Sequence, residues 1–242
     1  MIFGGFQKLT LLDFPGRVAC TVFTKGCNFY CPFCHNSFLV DVTGKEQSIP
    51  ADEVLDYLQK RFGILDGVCI TGGEPLLHPE TEEFITQVKA LGYAVKLDTN
   101  GSFPKRLKAL AQKNLIDYVA MDIKNCFEKY PLTAGCATVD MDAIEESIDF
   151  LLGGSLNYEF RTTVADPLHT PEDIENIAKR ISGAKKYFLQ NFVDSGNIIC
   201  NDVSFSDENV LKKLQPIEEN VLKNMKNFAQ KYVKNTAIRG ES

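Results

Sequence analysis

Six times along the chain a short apolar, β-branched run is followed by a stretch with helical spacing. The runs are 17–24, 67–71, 93–98, 118–121, 158–164 and 186–190. Between them come helix signals. Pro50 with Asp52 and Glu53 opens one, Phe84, Ile85, Val88 and Leu91 share a face over 79–91, and Pro104 starts a third. A fourth is expected over 142–152, closed by Gly153-Gly154, and Thr170-Pro171-Glu172-Asp173 opens a fifth. Strand–helix alternation of this kind predicts an α/β fold, a parallel sheet with helices outside it. Crossovers of one hand curl such a sheet, and six units fall short of the eight of a closed barrel. The expectation is a partial (β/α)6 TIM-like barrel over 17–190. An irregular lead-in is expected over 1–16. A C-terminal segment over 191–242 carries a loop at 191–206, an amphipathic helix at 216–232 and a short strand at 236–239.

The 242 residues suit one α/β domain, and the whole chain, 1–242, is read as one. The net charge of −6 excludes a general nucleic-acid footprint. No apolar run reaches the length of a membrane span and the first residues lack a signal-peptide layout, so no membrane role and a cytoplasmic location are expected. Eight cysteines without a secretory signal point to metal or redox use in a reducing interior.

The polar and glycine-rich motifs fall where the expected strands end, which is where α/β barrels build their sites. Cys27, Cys31 and Cys34, spaced C-x-x-x-C-x-x-C, follow the first strand. Gly72-Gly73-Glu74-Pro75 follows the second, Asp98-Thr99-Asn100-Gly101 the third, and Asp122-Ile123-Lys124 the fourth. Arg161 lies in the fifth, and Gln190-Asn191 ends the sixth. Three thiolates select an iron–sulphur cluster, zinc or copper(I). Three ligands leave one iron of a 4Fe–4S cluster open, whereas a structural zinc site is closed by four. Zinc held with His35 is the alternative, poorly served because His35 directly follows Cys34. Among the remaining cysteines, Cys20 and Cys69 sit in strands as buried hydrophobes. Cys126, Cys136 and Cys200 form no second short-spaced motif, so one cluster is expected. Asp98 and Asp122 have helix capping as their bland reading, Lys124 and Arg161 surface ion pairs, and Asn191 turn chemistry. His78 and His169 are read as loop residues without a role, and Asp13 as an aid to positioning the incoming loop or a cation. The stretch 125–139 is read as a connecting loop or a partner contact.

Three cysteines followed by a strand-ending Gly-Gly-Glu-Pro resemble the radical S-adenosylmethionine (SAM) superfamily. Leu9-Thr10-Leu11-Leu12-Asp13-Phe14-Pro15-Gly16, Cys34-His35-Asn36, Leu97-Asp98-Thr99-Asn100-Gly101 and Met121-Asp122-Ile123-Lys124 resemble the glycyl-radical-enzyme activating proteins. The lead-in and the tail, Tyr232-Val233-Lys234-Asn235 with Ile238-Arg239-Gly240, are most similar to activators of anaerobic ribonucleoside-triphosphate reductase. The resemblance implies a 4Fe–4S cluster on Cys27, Cys31 and Cys34, with SAM on the open iron. Reductive cleavage of SAM then gives a 5′-deoxyadenosyl radical that removes a glycine α-hydrogen from a partner glycyl radical enzyme, presented as a glycine-bearing loop. It further implies that Phe33 lies near the adenine, that Gly72, Gly73 and Glu74 meet the methionine part, and that Arg161 pairs with the SAM carboxylate. Asp98, Asp122 and Lys124 serve the ribose and sulphonium region, Asn191 joins the cofactor contacts, and a monovalent cation sits near Asp98 and Asp122. A flavodoxin- or ferredoxin-type electron donor follows, since no flavin motif is present. Activation of pyruvate formate-lyase or another glycyl radical enzyme, action on a small molecule as in a radical SAM enzyme, and a non-catalytic zinc or iron–sulphur module are the rival readings.

Overall fold

A computed structural model describes residues 1–40, 48–154, 156–194, 198–199 and 214–241. The loop read at 43–45, Cys200 and most of the loop read at 191–206 lie outside the described residues. The chain gathers into two units. The first comprises Met1–Asn28, Phe38–Ala120 and Ser155–Asn157, and the second Phe29–Ser37, Met121–Gly154 and Tyr158–Ser242.

The first unit is built on strands β1 (Ile2–Thr10), β2 (Ala19–Thr24), β3 (Ile49–Pro50), β4 (Gly67–Gly72) and β5 (Ala94–Thr99), in the order β3-β1-β2-β4-β5. Helices α1 (Ser37–Val40), α2 (Ala51–Lys60), α3 (Thr81–Ala90) and α4 (Pro104–Gln112) connect them, and β6 (Tyr118–Asp122) follows. β2, β4 and β5 pair in parallel, with Thr24 opposite Gly72 and Ile70 opposite Leu97. Val22, Val68, Ile70, Val95 and Leu97 are fully buried, as continuous apolar runs in a parallel sheet require. Phe3 and Phe84 meet edge to face with centroids 4.8 Å apart.

The lead-in expected to be irregular is instead β1, antiparallel to β2 and to β3. Two features hid it. Register shifts between Phe3 and Gly5 and between Gln7 and Thr10 break the two-residue period. Gly4 also lacks strand propensity, and it is there because a Cβ at that position would run into the Leu39 side chain.

The second unit holds α5 (Tyr130–Ala134), α6 (Met141–Gly153), β7 (Asn157–Val164), α7 (Pro171–Arg180), β8 (Tyr187–Asn191), α8 (Glu219–Gln230) and β9 (Thr236–Ile238). β7, β8 and β9 run parallel in that order. Asp140 caps α6 by accepting from the Ala143 N–H at 3.0 Å. Thr170 and Asp173 form a reciprocal capping box at the start of α7. The C-terminal helix buries Leu222, Met225 and Ala229, but Val221, placed on that face by its spacing, is exposed. The stretch 125–139 is not merely a connection. It carries a 3₁₀ turn at Phe127–Lys129 and then α5, with Pro131 in its first turn and Gly135 ending it at φ 66°.

The α/β class and parallel sheet expected from the alternation are what the chain has. No helix among the described residues is long and apolar enough to cross a membrane.

Candidate active site

Cys27 belongs to the first unit, and Cys31 and Cys34 to the second. In the first unit the loop into Cys27 is tied to the end of β4 by backbone. Gly73 N–H donates to Thr24 O and Glu74 N–H to Gly26 O, both at 2.9 Å. A Cβ on Gly73 would overlap the Gly26 carbonyl, and one on Gly72, at φ 117°, would run into the Thr24 backbone. The glycine pair is therefore demanded by the approach of two chain segments. Glu74 is fully buried. Its Oε1 accepts from Leu76 N–H and Thr99 Oγ1–H, each at 2.9 Å, and its Oε2 from Asn100 N–H at 2.7 Å. Asn100 in turn donates through Nδ2 to Asn28 Oδ1 at 2.9 Å, and that nitrogen lies 4.0 Å from Cys27 Sγ. One carboxylate thus holds the ends of β4 and β5 beneath Cys27. Asp98 pairs with the buried Lys96, and Cys69 Sγ is 3.8 Å from the same carboxylate. Asp13 accepts from Thr21 Oγ1–H at 2.6 Å, fastening the turn before β2 to that strand.

In the second unit Cys34 N–H donates to Cys31 O at 3.0 Å, a tight turn that keeps the two thiols on one bend. Asp122 accepts from Arg161 Nε at 2.8 Å and from Lys124 Nζ at 3.2 Å. Burial alone raises the Asp122 pKa, but the two cations and their hydrogen bonds outweigh it and hold the carboxyl at about 2. Burial likewise opposes the charge on Lys124, and Asp122, Cys31 and Tyr130 overcome it, so the ammonium stays protonated. Burial pushes the Cys34 thiol up, and Lys124 pulls it back toward the thiolate. A permanent cation beside two cysteines favours the deprotonated form that iron requires.

His169, read as a loop residue without a role, is buried between two chain segments. Its Nδ1 accepts from Ala165 N–H at 3.2 Å, which leaves the proton on Nε2 to donate to Lys124 O at 2.8 Å. Burial lowers its pKa, and the buried Phe33 ring lies 6.2 Å from it. His35 stacks on Phe192 with centroids 5.9 Å apart. His78 Nε2 meets Lys25 O. Asn191 turns its side-chain amide to the chain itself, donating to Ile217 O and accepting from Ile217 N–H at 2.8 Å each.

Among the described residues no three His, Cys, Asp or Glu side chains are gathered closely enough for a single metal ion. A 4Fe–4S cluster does not ask for that, because its cysteines bind separate irons. Soft thiolate donors next to a lysine, on loops pinned by glycine and a buried glutamate, fit such a group. Sequence reading had named Glu74 and Lys124, quoted Asn100 only as part of a motif, gave His169 no role and left Asn28 unmarked. Asn100 had its signal in the Asp98–Gly101 motif, whereas the other two are tied in only by long-range contacts.

Residues 21–181 match the family described as the radical SAM superfamily. Over 241 residues the chain is 32% identical to the "putative glycyl-radical enzyme activating enzyme" MJ1227 of Methanocaldococcus jannaschii, covering 97% of this chain and 94% of that protein. It is 31% identical over 170 residues to a "probable GTP 3′,8-cyclase" of Halobacterium salinarum, covering 65% of this chain but only 46% of the cyclase. Its fold is that of SuiB from Streptococcus suis bound to S-adenosylmethionine, with a TM-score of 0.66 at 15% identity over 90% of this chain and 49% of SuiB. This is the fold expected from the strand–helix alternation. With the matching segment running from the first parallel strand through the last helix before β8, the chain belongs to the radical SAM superfamily, whose members work with a 4Fe–4S cluster and SAM.

Proposed function

We propose that the chain is a glycyl-radical-enzyme activating enzyme whose target is an anaerobic ribonucleoside-triphosphate reductase, and that 1–242 works as one radical SAM domain. The observation that carries this reading is the likeness to the activating-enzyme relative along almost the whole of both chains, where the cyclase likeness stops at 65% of this one. Cys27, Cys31 and Cys34 hold the cluster. When bound, the cluster would supply the electron for reductive cleavage of SAM, so that the glycine α-hydrogen would leave in 5′-deoxyadenosine beside free methionine.

The chain's own residues bind and orient. Lys124 offsets part of the burial that disfavours a Cys34 thiolate and serves the sulphonium region, and Arg161 pairs with the SAM carboxylate. Asp98 and Asp122 face the ribose and a monovalent cation, Phe33 the adenine, and Gly72, Gly73 and Glu74 the methionine part. Asn191 stays in this set as a polar group beside the cofactor, although its amide is engaged with Ile217. The substrate is a glycine-bearing loop of the partner, and the electron comes from a flavodoxin- or ferredoxin-type donor. Eight cysteines in a chain without a secretory pattern suit a reducing, cytoplasmic setting.

The test is anaerobic reconstitution followed by incubation with SAM, reductant and candidate partners. A glycyl signal by electron paramagnetic resonance on the ribonucleotide reductase, and not on pyruvate formate-lyase, is the expected result. A signal on the lyase alone replaces the target. Near-stoichiometric zinc without sulphide in anaerobically purified protein overturns the enzyme reading.

A further inference from the structure

Tyr130 stands at the start of α5, its side chain 1% exposed. Its hydroxyl oxygen is the one buried side-chain polar atom among the described residues without a hydrogen-bond partner. Such a group costs free energy unless something outside the chain satisfies it.

The surroundings fix the ring and say what the hydroxyl faces. α5 is bound to the cysteine loop: Tyr30 N–H donates to Ala134 O at 2.8 Å, and a Cβ on Gly135 would overlap the Tyr30 carbonyl. Phe29 meets the Tyr130 ring edge to face at 6.4 Å. Thr133 Oγ1, one turn on, accepts from Asn125 Nδ2 at 2.8 Å and so ties α5 to the segment after β6. The charges that act on the hydroxyl are those of Lys124, Cys31 and Asp122. The Lys124 backbone N–H and ammonium both approach the oxygen, but neither stands at hydrogen-bond geometry, and no described group accepts the hydroxyl proton. An O–H held beside Cys31, Lys124 and Asp122 is a donor with no acceptor among the described residues.

We propose that Tyr130 is a further cofactor-binding residue, its O–H donating to an anionic acceptor of the group held by Cys31 and Lys124. This rests on the reading of the site as a cluster-and-SAM centre. The acceptor is either a sulphur of the cluster or the carboxylate of SAM, which share the same chemistry. A hydrogen bond to cluster sulphur raises the reduction potential, and one to the carboxylate strengthens SAM binding.

The experiment compares wild type with Tyr130→Phe, which keeps the ring, after anaerobic loading with iron and sulphide. Two quantities are read: the cluster midpoint potential without SAM, and the SAM dissociation constant. A lower potential in the variant before SAM is added identifies the cluster sulphur. An unchanged potential with SAM binding weakened about ten-fold or more identifies the carboxylate. The apo forms supply a control that a purely structural tyrosine does not pass. Without the cofactors, Tyr130→Phe unfolds at the same temperature as wild type or higher, because it loses a hydroxyl that nothing satisfied. If neither potential nor SAM affinity moves, or if the apo variant is clearly less stable, the inference is overturned while the site reading stands. If wild type itself takes up no iron and sulphide, the site reading falls and takes this inference with it.

Discussion

Replacing Glu74 by glutamine changes almost no volume but breaks the arrangement beneath Cys27. Three donors converge on the carboxylate: Leu76 N–H and Thr99 Oγ1–H on one oxygen and Asn100 N–H on the other. Glutamine brings one oxygen and one NH2. If the oxygen takes the Leu76–Thr99 side, the NH2 points at Asn100 N–H. If it takes the Asn100 side, Thr99 can rotate its hydroxyl, but Leu76 N–H then faces the NH2. Either way one buried N–H is left unmade and the surviving bonds lose their charge assistance. The expected loss is about 2–3 kcal/mol. For a chain of this length that lowers the melting temperature by roughly 4–12 °C. The assay is thermal and urea unfolding of the apoprotein without oxygen, paired with iron and sulphide analysis after reconstitution. Cluster loading falls as well, since Asn100 is what reaches Asn28 and Cys27. A destabilisation below about 0.5 kcal/mol would refute the view that this carboxylate is a fully committed acceptor.

Four further outcomes follow from the geometry. Cys31→Ala retains the circular dichroism spectrum but loses reconstituted iron and sulphide and produces no 5′-deoxyadenosine. Gly73→Ala forces a Cβ into the Gly26 carbonyl, so cluster loading and melting temperature drop together, whereas Gly153→Ala, where a Cβ meets nothing within 4 Å, leaves loading unchanged. Asp122 titrates at about 2 rather than at its ordinary 3.8, so its stabilisation is present above about pH 4 and is lost as the pH falls toward 2. The difference is worth about 2 kcal/mol, and Asp122→Asn flattens that part of the pH profile of the urea midpoint. Arg161→Ala weakens SAM binding by about 1.5–3 kcal/mol in equilibrium titration, and unchanged affinity removes Arg161 from the SAM wall.

The parallel strands were legible because both of their faces are buried. Runs such as Val68-Cys69-Ile70 and Val119-Ala120-Met121 contain little but apolar side chains. Helix α7 announced itself through Thr170-Pro171 and Asp173, which form the box their spacing promises. β1 was not legible, because Gly4 answers to Leu39, thirty-five positions away, Gly5 to Phe23, and its bulges erase the alternation. α5 was hidden by a proline that reads equally well as a turn. In the site, residue types were visible and their employment was not. Glu74 could be named from its motif, but its partners Thr99 and Asn100 arrive from another strand. Arg161 was expected to hold a ligand and is found holding Asp122 through Nε. Lys124 drew notice for its charge, whereas the imidazole bonded to its carbonyl lies forty-five positions further along.

That imidazole bears on how the interior handles protons. With Nδ1 committed to the Ala165 amide and burial opposing a second proton, His169 favours its neutral form. It behaves as a clasp between two backbones and carries no proton traffic past Phe33. Chemistry that moves whole hydrogen atoms asks for no acid–base relay at that point, and a side chain most proteins reserve for titration is free to serve there as carpentry.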